Sequence, residues 1–224
     1  GPAFAGVDRL FLIAPTGTMD VAGALSPLVA AAAARGVKIV FLSVLGADAD
    51  ESIPYRRIER AIEGAGVPFV VVRPNWFADN FHSFWKPGID HGVIAVPAGE
   101  GRTSFIDTRD IAEAAAAALT TDRFDGRAFD LTGPDALGYA DAAALLSRVL
   151  GRPIAYRALD DDAFVAMLAG AGVPEAYARF LASIFHPVRE GWTARVTDAV
   201  EMLTGRAPRS RVTYATDNRA KLGG

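Results

Sequence analysis

The sequence predicts an α/β fold: a parallel sheet joined to a smaller, mainly helical C-terminal lobe. Three observations predict it. Strand-like and helix-like segments alternate through the first two thirds of the chain, the order that calls for parallel strands and crossover helices. The strand-like segments are continuously apolar rather than alternating, as in strands covered on both faces. Helical periodicity then dominates the remainder. A chain of 224 residues is long enough for a sizeable core and an appended part. The expected division is 1–134 for the sheet domain, with segments of the second lobe at about 75–104, and 135–224 for the helical lobe.

Each element has a local reason. The first strand occupies residues 9–15, with 10–14 continuously apolar. The next helix covers about 21–34 and stops at Arg35-Gly36. Residues 37–43 form a second buried strand. Pro54 suits the first turn of a helix, and residues 55–63 follow with Ile58 and Ile62 on one face. Gly64-Ala65-Gly66 ends it. Residues 69–72 form a third buried strand, closed by Arg73-Pro74. The stretch 75–91 is unusually aromatic, and 93–96 and 103–106 read as short strands. Asp107 or Thr108 caps an alanine-rich helix reaching Leu119. Residues 128–132 form a strand turned by Gly133-Pro134, and 139–150 an amphipathic helix. Residues 153–158 form a short strand, and Asp160-Asp161-Asp162 cap a helix to Ala169. Pro174 opens a helix through Phe185, and 198–203 is another. The tail after Arg206 reads as mixed and partly mobile.

Composition excludes several functions. A net charge of −3 argues against nucleic acid as a partner, because phosphate-backbone binders carry a basic patch. With no cysteine, disulfides, thiolate metal sites and cysteine nucleophiles are excluded. That usage fits a reducing cytoplasm, the expected location. The longest apolar stretch, 25–34, carries Ser26 and Pro27 and falls short of the ~20 residues of a membrane span, so no membrane partner is expected. No basic flank followed by an apolar run marks a secretory signal. His82, His91 and His186 are far apart in the chain, so no metal site is expected. Asp107 and Asp110 read as residues that fix a helix start. Gly-x-Ser-x-Gly, the hydrolase nucleophile turn, is absent.

A dinucleotide-binding sheet normally opens with a strand, a G-x-G-x-x-G turn and a helix whose N-terminus meets the pyrophosphate. No such turn lies anywhere in the sequence. Other motifs carry a resemblance. They are Ala5-Gly6-Val7-Asp8-Arg9-Leu10-Phe11-Leu12, Ala34-Arg35-Gly36-Val37-Lys38 through Ser43, and Gly66-Val67-Pro68-Phe69 through Arg73-Pro74-Asn75-Trp76-Phe77. Asn80-Phe81, Phe105-Ile106-Asp107-Thr108-Arg109-Asp110-Ile111-Ala112, Leu131-Thr132-Gly133-Pro134 and Val196-Thr197-Asp198 to Gly205-Arg206 continue it. Together they resemble the NmrA-like atypical short-chain dehydrogenases. The closer likeness is to the branch of ergot-alkaloid biosynthesis reductases, the agroclavine and festuclavine dehydrogenase type. The resemblance covers nearly the whole chain.

It implies a Rossmann-like NAD(P)-binding domain, here N-terminally truncated, and a smaller C-terminal substrate lobe. Against the family pattern the chain lacks the first three strands and two intervening helices, which carry the diphosphate turn and the residues that choose NAD or NADP. The implied function is an NAD(P)-dependent oxidoreductase of secondary metabolism. Its substrate would be a small apolar or aromatic molecule with an imine, quinone or activated double bond. The alternatives are a non-redox small-molecule-binding or rearrangement enzyme that has lost cofactor binding, and a redox-sensing regulatory protein. NAD(P) is the expected cofactor if the missing part is supplied, and none is expected otherwise.

Ligands of parallel sheets sit beyond the carboxyl ends of the strands. This selects Ala14, Pro15 and Thr16 after the first strand, Leu42, Ser43 and Val44 after the second, and Arg73, Pro74, Asn75 and Trp76 after the third. The alternative is ordinary strand-to-helix loops. By the resemblance, Ser43 stands where a typical short-chain dehydrogenase keeps its substrate-orienting serine; it also reads as a serine that merely ends a buried strand. The usual Tyr-x-x-x-Lys pair, in which an ammonium lowers a phenol's pKa for proton relay, is absent. Tyr55 is followed four residues later by Glu59 and is the second catalytic candidate, lining the cofactor side. Trp76, Phe77, Asn80 and Phe81 are the substrate-pocket candidates, with Phe84 and Trp85 extending the run. Flat rings with few polar groups suit a nicotinamide or an aromatic substrate; equally, such rings cement two lobes. The first strand leaves a bare apolar edge; if these residues are the entire polypeptide, a homodimer partner or rearranged helices are expected to cover it, and the alternative is a longer natural chain whose first part is cut.

Overall fold

β1 (Arg9–Leu12) leads through α1 (Val21–Ala33) to β2 (Lys38–Leu42), then α2 (Pro54–Glu63) and β3 (Phe69–Pro74). This and all that follows comes from a computed structural model that describes residues 4–223. Next come α3 (Lys86–Asp90), β4 (Val93–Val96), the short β5 (Arg102–Thr103), α4 (Thr108–Thr120) and β6 (Arg127–Leu131). β7 (Leu137–Gly138), α5 (Tyr139–Leu150), β8 (Ala155–Ala158), α6 (Asp161–Gly170) and α7 (Glu175–Ser183) follow. The chain closes with α8 (His186–Arg189), α9 (Ala199–Thr204), α10 (Arg211–Asp217) and α11 (Arg219–Leu222).

Two compact units interleave along the chain. The first comprises the chain up to Asn75, Arg109–Leu131 and Thr197–Ala207. Its sheet has the order β1-β2-β3-β6 and is parallel throughout, as in a Rossmann-like fold. β2 is buried at every position. On one face Leu12, Ile39, Phe41 and Val71 pack against Leu25 and Val29 of α1 and Ile58 and Ile62 of α2. α1 begins where the Asp20 carboxylate accepts from the Gly23 amide at 2.8 Å, an N-cap. The lone cation inside β2, Lys38, is neutralised at its end by Asp125 at 2.5 Å and the Thr121 carbonyl at 2.6 Å.

The first strand departs from expectation. Residues 10–14 read as covered on both faces, but the strand stops at Leu12, and Phe11 and Ile13 are 37% and 52% exposed. α1 and α2 cover the Leu12 face. Among the described residues, β1 pairs only with β2.

The second unit comprises Trp76–Thr108, Thr132–Val196 and the chain from Pro208 onward. The observed units therefore differ from a boundary at 134. Residues 105–108 and 132–134 join the second unit, and 197–207 return to the first. The return has a physical cause. The Thr197 hydroxyl donates to the Asp130 carbonyl of β6 at 2.5 Å, and Arg206 pairs with Glu113 of α4.

Within the second unit β4 and β8 pair in parallel, and β5 and β7 antiparallel. The strand expected at 103–106 is shorter. β5 ends at Thr103, and Ile106 instead bridges Phe77, with the Ala78 amide donating to the Ile106 carbonyl at 2.8 Å. Gly133 has no room for a side chain, because a Cβ there would collide with the Phe105 carbonyl oxygen. That contact explains the glycine of Leu131-Thr132-Gly133-Pro134. The tail is not the loose end its composition suggested. Ser210 caps α10 by accepting from the Thr213 amide at 3.1 Å, and Tyr214 and Leu222 are buried in the unit's core.

Candidate functional site

Unit 1 presents the carboxyl ends of its strands. Ala14 is half-buried, Pro15 and Thr16 are exposed, and Val44 is half-buried. Leu42, Ser43, Arg73, Pro74 and Asn75 are buried. Two of the buried side chains are engaged with one acid, Glu59 of α2, which is 0% exposed. The Ser43 hydroxyl donates to Glu59 Oε1 at 2.6 Å. Arg73 donates through Nε and Nη2 at 2.8 and 2.7 Å, a two-pronged pair. Arg56 adds a third donor at 2.8 Å, and Arg73 also reaches Asp48 at 2.5 Å. Burial alone would push the Glu59 carboxyl up. The hydrogen bonds from Arg73, Ser43 and Arg56 outweigh it and hold the carboxyl below its usual range.

This changes the reading of both catalytic candidates. Ser43 is 2% exposed, and its proton is directed at Glu59. Tyr55 stacks on Phe41 with ring centroids 6.2 Å apart, and burial pushes its phenol up rather than down. Burial thus moves the phenol away from the lowered pKa that proton relay needs, in keeping with the absent Tyr-x-x-x-Lys pair. Glu59 fills the space four residues on from Tyr55 with an anion committed to arginines.

At these strand ends Pro15 and Thr16 are exposed and Ala14 and Val44 half-buried, so their backbone and small side chains are open to a ligand. A diphosphate finds no glycine-rich turn among the described residues, and Arg73 is already paired.

Unit 2 contains a cavity of about 540 Å³. Trp76, Trp85 and Phe185 form its aromatic wall, with Trp76 stacked on Trp85 at 5.8 Å and Phe185 at 4.7 Å from Trp76. β4 contributes Val93, Ile94 and Ala95, of which Ile94 is the buried one. Helices α6 and α7 supply Phe164, Met167, Leu168, Tyr177 and Leu181. Asn80 and Arg157 are the amide and the cation among the lining residues. Neither side chain has a hydrogen-bond partner among the described residues.

Of the expected pocket residues, Trp76 and Asn80 line this cavity, as do Phe84 and Trp85. Phe77 and Phe81 do not. Phe77 engages Ile106 through its backbone, and Phe81 is 5% exposed, packed on Trp85 and Phe105. The wall from α6 and α7 went unread. Its signal was Met167, Tyr177 and Leu181 on two short helices flanking the Gly172-Val173-Pro174 turn, which are more apolar than two solvent-facing helices require.

The NmrA-like family model matches residues 2–199. The chain is 34% identical over 221 residues to prestalk A differentiation protein A of Dictyostelium discoideum, covering 98% of this chain and 72% of that protein. It is 38% identical over 216 residues to a (4-alkanoyl-5-oxo-2,5-dihydrofuran-3-yl)methyl phosphate reductase of Streptomyces griseus, covering 92% and 74% respectively. Among solved structures, an NADPH-dependent quinone oxidoreductase from Escherichia coli complexed with NADPH superposes with a TM-score of 0.86. It is 25% identical, and the match covers 97% of this chain and 78% of that one.

Proposed function

The chain belongs to the NmrA-like family, and from that premise we propose that it is an NAD(P)-dependent oxidoreductase that reduces a small apolar substrate held in the unit 2 cavity. The substrate carries a quinone, an imine or an activated double bond. The observation that carries this reading is the cavity itself: about 540 Å³, aromatic-walled, with few polar groups. Such a space suits a flat organic molecule. The reductase activities of the Streptomyces griseus relative and the Escherichia coli neighbour support the same class.

The cofactor supplies the hydride when bound. The protein's own groups bind and orient. Ala14, Pro15, Thr16 and Val44 make the cofactor contacts, with the backbone at Leu42, Pro74, Asn75 and Trp76. Ser43 and Arg73 are positioning residues, acting through Glu59 to fix the ends of β2 and β3. In unit 2, the stacked pair Trp76 and Trp85 forms a flat wall against which the substrate lies and which excludes water, and the Asn80 amide donates to its carbonyl or imine.

Titration of reduced-nicotinamide fluorescence with the protein, and oxidation of NADPH in the presence of quinones, test the proposal. Saturable binding and turnover are expected. Asn80→Ala is expected to lower kcat/KM about tenfold, the worth of one hydrogen bond in a dry site. Failure to bind either reduced nicotinamide, with no turnover, removes the reading.

The exposed Phe11–Ile13 face of β1 adds a proposal on assembly. If these residues are the whole polypeptide, a second copy covers this strand, because a bare apolar strand is an association site. Light scattering is expected to find a dimer that Phe11→Glu converts to monomer. A monodisperse wild-type monomer refutes it.

A further inference from the structure

The unit 2 cavity has an electrostatic asymmetry that the reductase reading does not use. Its lining includes one cation, Arg157, and no aspartate, glutamate, lysine or histidine. The register explains why Arg157 faces this space. It lies on β8 directly across from Ala95 of β4, and partners in a parallel pair share a face. Ala95 lines the cavity, so Arg157 does too. Arg157 is exposed, which places it toward the open side, while Phe185, at 2% exposure, lies at the closed side. Its guanidinium makes no hydrogen bond or ion pair among the described residues. The neighbouring arginines do: Arg152 donates to the Ile89 carbonyl at 2.8 Å, and Arg189 to Asp161 at 3.0 Å.

The geometry points to an anionic amphiphile as the ligand class: a flat or alkyl apolar body with one carboxylate, sulfonate or phosphate at its end. The body fills the wall of Trp76, Trp85 and Phe185. The anion meets Arg157, whose planar fork matches these groups two-pronged. A cavity of about 540 Å³ holds a body of two to three rings or a medium alkyl chain. Solvent partly screens the exposed guanidinium, so the pair's worth rests on its two-pronged geometry. A cationic ligand would meet like charge with no counter-ion on the wall. This inference names the substrate class of the proposed site and rests on that reading only for the word substrate, because binding can be read without turnover.

The probes are 8-anilinonaphthalene-1-sulfonate and its uncharged counterpart N-phenyl-1-naphthylamine, followed by fluorescence. Wild type is expected to bind the sulfonate more tightly. Arg157→Gln is expected to weaken the sulfonate about tenfold and leave the neutral probe unchanged, with Arg157→Lys between. Met167→Trp, which narrows the cavity, is expected to weaken binding of both. Equal effects of Arg157→Gln on both probes, or none on either, overturn the inference. So does sulfonate binding that Met167→Trp leaves unchanged. Circular dichroism of each variant checks the fold. Loss of NADPH turnover on every substrate with probe discrimination intact removes the reductase reading and leaves this one standing.

Discussion

Replacing Glu59 by glutamine is expected to destabilise the protein by about 3–5 kcal/mol, the cost of removing one partner from a buried ion pair. The acid accepts from Ser43, Arg56 and Arg73 at 2.6–2.8 Å with no exposure to water. A neutral amide removes the two-pronged anion from buried Arg73 and Arg56, leaving Arg73 its pairs with Asp48 and Asp130. Urea unfolding of both proteins measures the difference. Glu59→Met with Arg73→Met is expected to cost less than Glu59→Gln alone, since apolar replacement of both partners removes the stranded charge. pH provides an independent check. The folded Glu59 carboxyl titrates below its ordinary value of 4.5. The unfolded chain therefore binds the proton first as pH falls. The network's stabilisation is complete above about 4.5 and is lost as pH drops through the lowered folded value. The wild-type stability curve should fall steeply there, and the glutamine variant should fall less. Parallel curves would show that Glu59 is not the group responsible.

The second large effect concerns turnover. Ala95→Trp is expected to lower kcat/KM about a hundredfold, the cost of displacing a substrate from its reacting position. Ala95 faces the cavity from β4, half-buried, so the indole has open space to enter. Stability should change little, because the added ring fills a void rather than a packed core. Steady-state kinetics with a quinone, beside thermal unfolding, separate the two. Unchanged kinetics in a folded variant would place the substrate elsewhere.

The sheet was legible because burial on two faces leaves an unbroken apolar run, and β2 and β3 have one. The same logic misled at β1, where an apolar run stands exposed on one face. Sequence cannot say whether a covering element is present. Trp76 and Asn80 were legible as pocket residues because a polar amide in an aromatic run has few other uses. Phe77 and Phe81 share that run but do not line the cavity, Phe81 packing on Phe105, and a short irregular segment has no fixed period from which to sort faces. Arg157 was invisible, since an arginine on a four-residue strand looks like any solvated charge until β4 is set beside it. In the sequence Glu59 reads only as an acid four residues after Tyr55. Its position beside Ile58, and three residues before Ile62, on the buried side of α2 was the clue to an interior anchor.

All residues that line the cavity belong to the second unit, while the Glu59 ion-pair knot belongs entirely to the first. Selection can therefore act on the two separately. Replacements at Met167, Leu168, Tyr177 or Arg157 reshape the cavity without touching the charges that fasten β2 and β3. Diversification of chemistry among descendants of such a scaffold should concentrate in α6, α7 and β8, with the sheet inherited nearly unaltered.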